Sequence, residues 1–383
     1  MKIGYIFLFL VLFISFSFAQ EKDSLFPICN SLGEYGFIDK TGKVVIEPQF
    51  GGSFYFSEGL CAVKTGSKWG YINKSGKYVI NPAYDGVGPF MQGTAAVLLN
   101  GKWGYINKKG QTIIKPTFNW CGNFSRFLTA VLVGKKWGYV DQDGVMIIKP
   151  QYDEAYEFTK DLALVKIGNK WGYIVDTGAM IISPHGYDDA FSFSSSGLAA
   201  IKQKDKWGYI NTIGEIVIKP QFDCVTTFNE GLALAYVSGK CGYINEEGNF
   251  VINPKYEEAT NFSEGLAAVK IDGKWGYINK KGKIVIEPKF ENVSGFYNGL
   301  AWWISEDYNW GYIDKKGTTI WELHPKKDTD LTAEEIKNQV LKAFEELENE
   351  LSLIKDLEEI DVENGHAVAK SNAEDWKEAA SSE

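Results

Sequence analysis

The chain has 383 residues, 45% of them apolar and 15% aromatic, which is enough to bury a large core. Its net charge of −9 is concentrated in residues 326–383, which hold 7 Lys against 17 Asp plus Glu; the rest is balanced at 33 basic to 32 acidic. That balance offers no broad positive field for a phosphate backbone, so nucleic acid is excluded as an expected partner, and anionic lipid gains no support.

The N-terminus places Lys2 ahead of an apolar run from Ile3 to Phe18, followed by Ser17-Phe18-Ala19 with small residues at the −3 and −1 positions. This pattern predicts a secretory signal peptide over residues 1–19, cleaved after Ala19, because the run is short for a bilayer span and no stop-transfer charges follow. The mature chain is then expected to be exported to the periplasm, cell surface or medium, with no transmembrane span. Of the five cysteines, Cys29, Cys61, Cys121, Cys224 and Cys241, none falls in a metal-binding spacing. Cys61 and Cys241 stand where other units place Ala or Trp, and read as small packing residues.

From Leu25 to Leu323 the chain repeats. Gly36, Gly70, Gly104, Gly138, Gly172, Gly208, Gly242, Gly276 and Gly311 are separated by 34, 34, 34, 34, 36, 34, 34 and 35 residues, so nine units occupy residues 20–324. A helical array could share this period, but the residues within a unit select strands. In the unit beginning at Gly265, three short apolar runs are separated by Asp272-Gly273 and Asn279-Lys280-Lys281-Gly282, both hairpin chemistry. The third run, Ile284-Val285-Ile286, is β-branched throughout, reads as buried on both faces, and ends at Pro288, which cannot donate to a ladder. Each unit is therefore expected to be a three-stranded antiparallel meander that stacks on its neighbours through recurring aromatics. Gly276 is expected to make room for an aromatic of the next unit.

The units resemble the WG-repeat family, also called KWG repeats. The motif stands at Trp69-Gly70, Trp103-Gly104, Trp137-Gly138, Trp171-Gly172, Trp207-Gly208, Trp275-Gly276 and Trp310-Gly311, with departures at Tyr35-Gly36 and Cys241-Gly242. The resemblance implies a bacterial repeat array, frequently exported, with no catalytic residues to carry over. The expected fold is all-β, as an open solenoid or superhelix, with a propeller-like ring as the alternative because nine three-stranded blades would be unusual.

After Pro325 the pattern changes. Thr332 and Glu335 form a capping-box signature, and Val340, Phe344, Leu347, Leu351 and Ile354 make an amphipathic stripe, so residues 325–363 are expected to be an acidic helix. With Ile336 the stripe is expected to cap the last unit over Trp302 or Trp303, turning its acidic face to solvent. Residues 364–383 are expected to be disordered.

Catalytic chemistry finds no constellation. His185, His324 and His366 are the only histidines and align with no nucleophile, and the glycines follow the repeat rather than a phosphate loop, so neither an enzyme nor a cofactor is expected. Asp85, Asp153, Asp188, Asp223, Glu257 and Glu291 recur once per unit and read as turn or linker residues. Trp120, Trp302 and Trp303 have no counterparts in other units and are the candidate binding residues, since a large exposed apolar side chain needs something to cover it. The expected function is a non-catalytic repeat surface that binds a protein, with carbohydrate or peptidoglycan as the alternative ligand.

Overall fold

The computed structural model describes residues 24–323 except Arg126, His185 and Tyr308. The expected signal peptide, the acidic helix, the terminal tail and all three histidines lie outside the described residues.

Nine antiparallel sheets follow one another along the chain, and we number them as blades: residues 26–50, 52–84, 86–118, 120–152, 154–182, 189–222, 224–256, 266–290 and 292–323. Seven are four-stranded and two, blades 1 and 8, are three-stranded. The expected meander is present in each, but the linker supplies a further strand that the sequence did not suggest. In blade 3 this is Gly86–Val87, pairing with Thr94–Leu99, which pairs in turn with Lys102–Asn107 and Thr112–Phe118. It is two residues long, too short to show an alternation. In blade 8 a single bridge, Ala259 to Val269, takes its place.

The array closes into a ring like a β-propeller, so the open solenoid gives way to its alternative. Eight blades carry a tyrosine one residue after the motif glycine. Seven of these, Tyr71, Tyr105, Tyr139, Tyr173, Tyr209, Tyr243 and Tyr277, donate their hydroxyl to a backbone carbonyl of the following blade at 2.6–2.8 Å. The eighth, Tyr312 of blade 9, makes the same bond to the carbonyl of Pro27 in blade 1, at 2.8 Å and 285 residues back along the chain. Phe26 lies edge-on against the Tyr312 ring, and Phe26, Ile28 and Ile38 share a core cluster with Leu300 and Tyr312. The hairpin glycines agree: Gly76 meets Ile46 of the preceding blade, Gly110 meets Ile80, and so on to Gly317 against Ile286, while Gly42 of blade 1 meets Ile320 of blade 9. A closed ring has no uncovered end, which removes the reason for a helical cap.

The motif glycine and the proline of the last strand explain each other. In blade 3 Trp103 pairs with Phe118 but Tyr105 pairs with Ile114, so the last strand carries a bulge at 115–117. A Cβ on Gly104 would lie 2.5 Å from the Ile114 oxygen and 2.6 Å from the Pro116 nitrogen. Gly276 likewise clears Ile286 and Pro288 of its own blade, not an aromatic from the next. Pro116 fits because the bulge and the sheet edge ask it for no N–H.

The last strand is also not buried on both faces. Ile286 is buried, but Ile284 and Val285 are exposed, Val285 at 41%. The same outward position holds Val45, Val79, Ile113, Ile147, Ile181, Val217 and Val251, all exposed. Here the strand is a sheet edge, and its β-branched run reflects strand propensity rather than burial.

Candidate interaction surface

The residues that recur most faithfully are spent on the ring. The seven tyrosines are among the most deeply buried side chains, each packed on a phenylalanine such as Phe90, Phe124 or Phe158 of the next blade. Burial pushes the hydroxyls of Tyr139 and Tyr173 far up, beyond any physiological range. The motif tryptophans are shallower: Trp171 and Trp207 are buried at 7%, whereas Trp69, Trp103, Trp137, Trp275 and Trp310 are half-buried. Cys61 and Cys241 are buried at 0%, Cys241 in the place of a motif tryptophan.

The candidate binding tryptophans are all engaged with the fold. Trp120 is half-buried, edge-on to Trp103 at 5.0 Å. Trp302 is half-buried and packs on the cluster that joins blades 9 and 1. Trp303 is not a surface residue but a core one, its ring tilted against Phe290 at 5.4 Å, with its Nε1 buried and without a hydrogen-bond acceptor. None of the three is brought to the others' site as a common platform by these contacts.

The strands run between two faces, and the faces treat charge differently. On one face lie the hairpins between the second and third strands of each four-stranded blade. There the Lys of the Lys-Trp-Gly motif is met by the recurrent acid that opens the next blade: Lys68 by Asp85, Lys136 by Asp153, Lys170 by Asp188, Lys206 by Asp223 and Lys274 by Glu291. The same acid accepts a backbone N–H from that blade's hairpin, as Asp85 does from Asn100 and Asp153 from Gly168. The hydrogen bond from Lys136 holds the Asp153 carboxyl below the usual carboxylate range. In five blades this face pairs its motif lysine within the chain.

The other face carries the hairpins between the third strand and the outer one. Their fold needs only two positions. In blade 2 the Gly76 N–H donates to the Asn73 carbonyl with Gly76 at φ +79°, and the Asn73 Oδ1 accepts from the amides of Ser75 and Lys77. The turn itself asks nothing of the remaining positions, and they carry a pattern. Hairpins 39–43, 73–77, 107–111, 279–283 and 314–318, of blades 1, 2, 3, 8 and 9, hold eleven Lys and two Asp. Hairpins 141–145, 175–179, 211–215 and 245–249, of blades 4–7, hold no Lys or Arg and six acids, Asp141, Asp143, Asp176, Glu215, Glu246 and Glu247. Because the ring closes blade 9 onto blade 1, the five basic hairpins form one continuous arc and the four acidic ones fill the remainder.

Three of these lysines are used as latches. Lys108 pairs with Glu58 at 3.0 Å, Lys280 with Glu230 at 3.1 Å and Lys315 with Glu264 at 2.9 Å, each reaching back to the preceding blade. Burial opposes ionisation of Glu58, but Lys108 and the Gly93 amide outweigh it and lower its pKa. Lys40, Lys43, Lys77, Lys109, Lys281, Lys283 and Lys316 project from exposed turn positions. The same face also presents large apolar tips: Phe127, in the turn between the first and second strands of blade 4, is 76% exposed, and Ile213, in the hairpin 211–215, 69%. Sequence reading passed over both, because a phenylalanine and an isoleucine in strand-rich surroundings look like core.

The sequence profile of the WG containing repeat matches residues 35–69, 69–103, 103–137, 137–171, 171–207, 207–241, 242–275 and 275–302. The chain belongs to the WG-repeat family. No curated protein matches it. Among solved structures it is similar to the "Crystal structure of the eukaryotic initiation factor", at TM-score 0.59 and 12% identity over 79% of this chain and 96% of that one. It also matches the computationally designed Ika8 protein at TM-score 0.44 and 11% identity, over 70% and 94% of the two chains. The dihydro-heme d1 dehydrogenase NirN matches at TM-score 0.44 and 11% identity, over 80% and 74%. At 12% identity the likeness to the initiation factor is one of fold. Among the described residues no group of three or more His, Cys, Asp or Glu is arranged to hold a metal, and no helix is long and apolar enough to cross a membrane.

Proposed function

We propose that this WG-repeat ring is a non-catalytic scaffold that docks protein through its charged hairpin face, in or beyond the bacterial envelope. The observation that carries the reading is the contrast between the faces: on one, five motif lysines pair with the acid of the next blade, whereas the hairpins of the other sort their charges into a basic and an acidic arc, leave Lys281, Lys283 and Lys316 exposed, and expose Phe127 and Ile213. Exposed apolar tips within a polar rim are the composition of a protein-docking surface. The family and the propeller fold support a scaffold, and the N-terminal pattern supports export.

A photo-reactive amino acid placed at position 127, and at Leu32 on the opposite face as control, tests this in the native host. The expected result is a discrete protein adduct from position 127 and little from position 32. Equal labelling of both, or none from 127, overturns the reading. Glycan recognition has one observation in its favour, the exposed Phe54 and Tyr156 rings set against Trp69 and Trp171. Retention on peptidoglycan that is abolished by Phe54→Ala and Tyr156→Ala would favour it.

A further inference from the structure

We propose that the protein docked on the hairpin face is a second copy of this chain, held face to face about a two-fold axis. The inference rests on the reading of that face as a docking surface and names what occupies it.

A partner must match both arcs. A uniformly anionic surface would satisfy the basic arc and be repelled by Asp143, Asp176, Glu246 and Glu247; a cationic one would meet the reverse conflict at Lys281, Lys283 and Lys316. The partner therefore carries an acidic arc and a basic arc at the same spacing, and another copy of this ring does. Five basic blades, 8, 9, 1, 2 and 3, are centred on blade 1, and four acidic blades, 4 to 7, are centred between blades 5 and 6. In a ring of nine these centres lie diametrically opposite.

A two-fold axis lying in the plane of the face, perpendicular to that diameter, turns one ring over onto the other. It sets each basic arc on the acidic arc of the second copy, twice over, as an isologous contact requires. Because nine is odd, the operation also brings hairpins opposite gaps rather than opposite hairpins, so the two faces interleave. Phe127 and Ile213 then enter the spaces between lysine-bearing hairpins, where the lysine stems offer apolar surface. Stable interfaces use about 20–30 residues a side, a number the nine hairpins can supply. The opposite face shows no such division into arcs, and the motif lysines of five of its blades are paired within the chain.

The test is sedimentation of the full-length mature chain with two charge-reversed variants, Lys281→Glu/Lys283→Glu/Lys316→Glu and Asp143→Lys/Glu246→Lys/Glu247→Lys, all at exposed turn positions. The wild type is expected to be dimeric at about 10 mM salt and to dissociate towards 1 M, as the Debye length falls from about 30 Å to about 3 Å. Each variant alone is expected to lose affinity by at least about tenfold, because the first cuts the basic arc from +9 to +3 and the second the acidic arc from −6 to 0, weakening both arc-to-arc contacts of the homodimer. Mixed in equal amounts, the two are expected to form a heterodimer, since only that pairing sets an unaltered acidic arc, from the first variant, on an unaltered basic arc, from the second. That recovery also shows that both variants are folded.

A wild type that stays monomeric at low salt overturns the proposal, as does a dimer that neither variant weakens or a mixture that fails to associate. The scaffold reading fails separately. A monomeric ring that still gives a foreign protein adduct from position 127 keeps the docking face and removes only the second copy.

Discussion

Replacing Gly104 by alanine isolates the physical reason for the Trp-Gly motif. The new Cβ would lie 2.5 Å from the Ile114 oxygen and 2.6 Å from the Pro116 nitrogen, both backbone atoms of the neighbouring strand that cannot rotate away. Relief requires that strand to move outward, which costs about 1–3 kcal/mol in overpacking and about 1 kcal/mol for each ladder hydrogen bond lost. The total is about 3–5 kcal/mol. Gly101 is the control: its φ is +71° and nothing lies within 4 Å of its Cβ position, so Gly101→Ala carries only the left-handed penalty of about 1–2 kcal/mol. Urea denaturation followed by tryptophan fluorescence should place the midpoint of Gly104→Ala clearly below that of Gly101→Ala. Equal midpoints, or the reverse order, would mean that the motif glycine does not serve the bulge.

Tyr139→Phe removes a 2.8 Å bond to the Tyr156 carbonyl while keeping the ring, and should cost about 1–2 kcal/mol in thermal or chemical denaturation; no loss would show that the inter-blade bond is not formed. Trp171→Ala should cost about 3–5 kcal/mol and Trp120→Ala distinctly less, since Trp171 is buried and Trp120 only half so, and equal costs would contradict the packing described. Burial raises the Glu157 carboxyl from 4.5 to about 7. Its folded-state pKa lies above its unfolded one, so its contribution is favourable below about pH 4.5 and is lost as pH rises towards 7. Glu157→Gln should then stabilise the ring by up to about 2–3 kcal/mol at pH 8 and by almost nothing at pH 4; an equal effect at both pH values would refute it. Four cysteines are buried and Cys224 is exposed, with burial pushing the Cys29 and Cys121 thiols up to about 12 and Cys241 to about 11. Thiol titration of the folded protein should show one fast group, and three or more would contradict the burial.

Much of the blade could be read from the sequence, because its elements are local. The hairpin glycines, the proline of the outer strand and the Lys-Trp-Gly run each act within a few residues. What escaped depends on distance or brevity. The first strand of each four-stranded blade, such as Gly86–Val87, is often too short to leave a periodic trace. The bonds of the tyrosines could not be read, because the carbonyls that accept their hydroxyls lie 17 or 18 residues on and carry no side-chain signature. Closure was open because the contacts that make it, such as the bond from Tyr312 to Pro27, join residues nearly the whole array apart, 285 residues in that case. The charge arcs were visible as letters, but Lys281 and Lys43 become neighbours in an arc only once blade 9 meets blade 1. Gly276 was assigned to the wrong neighbour, since a glycine signals close approach without saying whose backbone approaches.

Closure carries both the fold and the charge pattern, and lysine cross-linking tests it most directly. Gly317, at the tip of the blade 9 hairpin, packs on blade 8 just as Gly42, at the tip of the blade 1 hairpin, packs on blade 9. Lys316 and the pair Lys40 and Lys43 therefore sit on adjacent hairpins of a closed ring, and at opposite ends of an open array. A short amine-reactive linker, applied in high salt and followed by peptide mass analysis of the monomer band, should join Lys316 to Lys40 or Lys43 as readily as it joins Lys77 to Lys109 of blades 2 and 3. Abundant links between Lys77 and Lys109 with none from Lys316 to blade 1 would show an open array and contradict the ring.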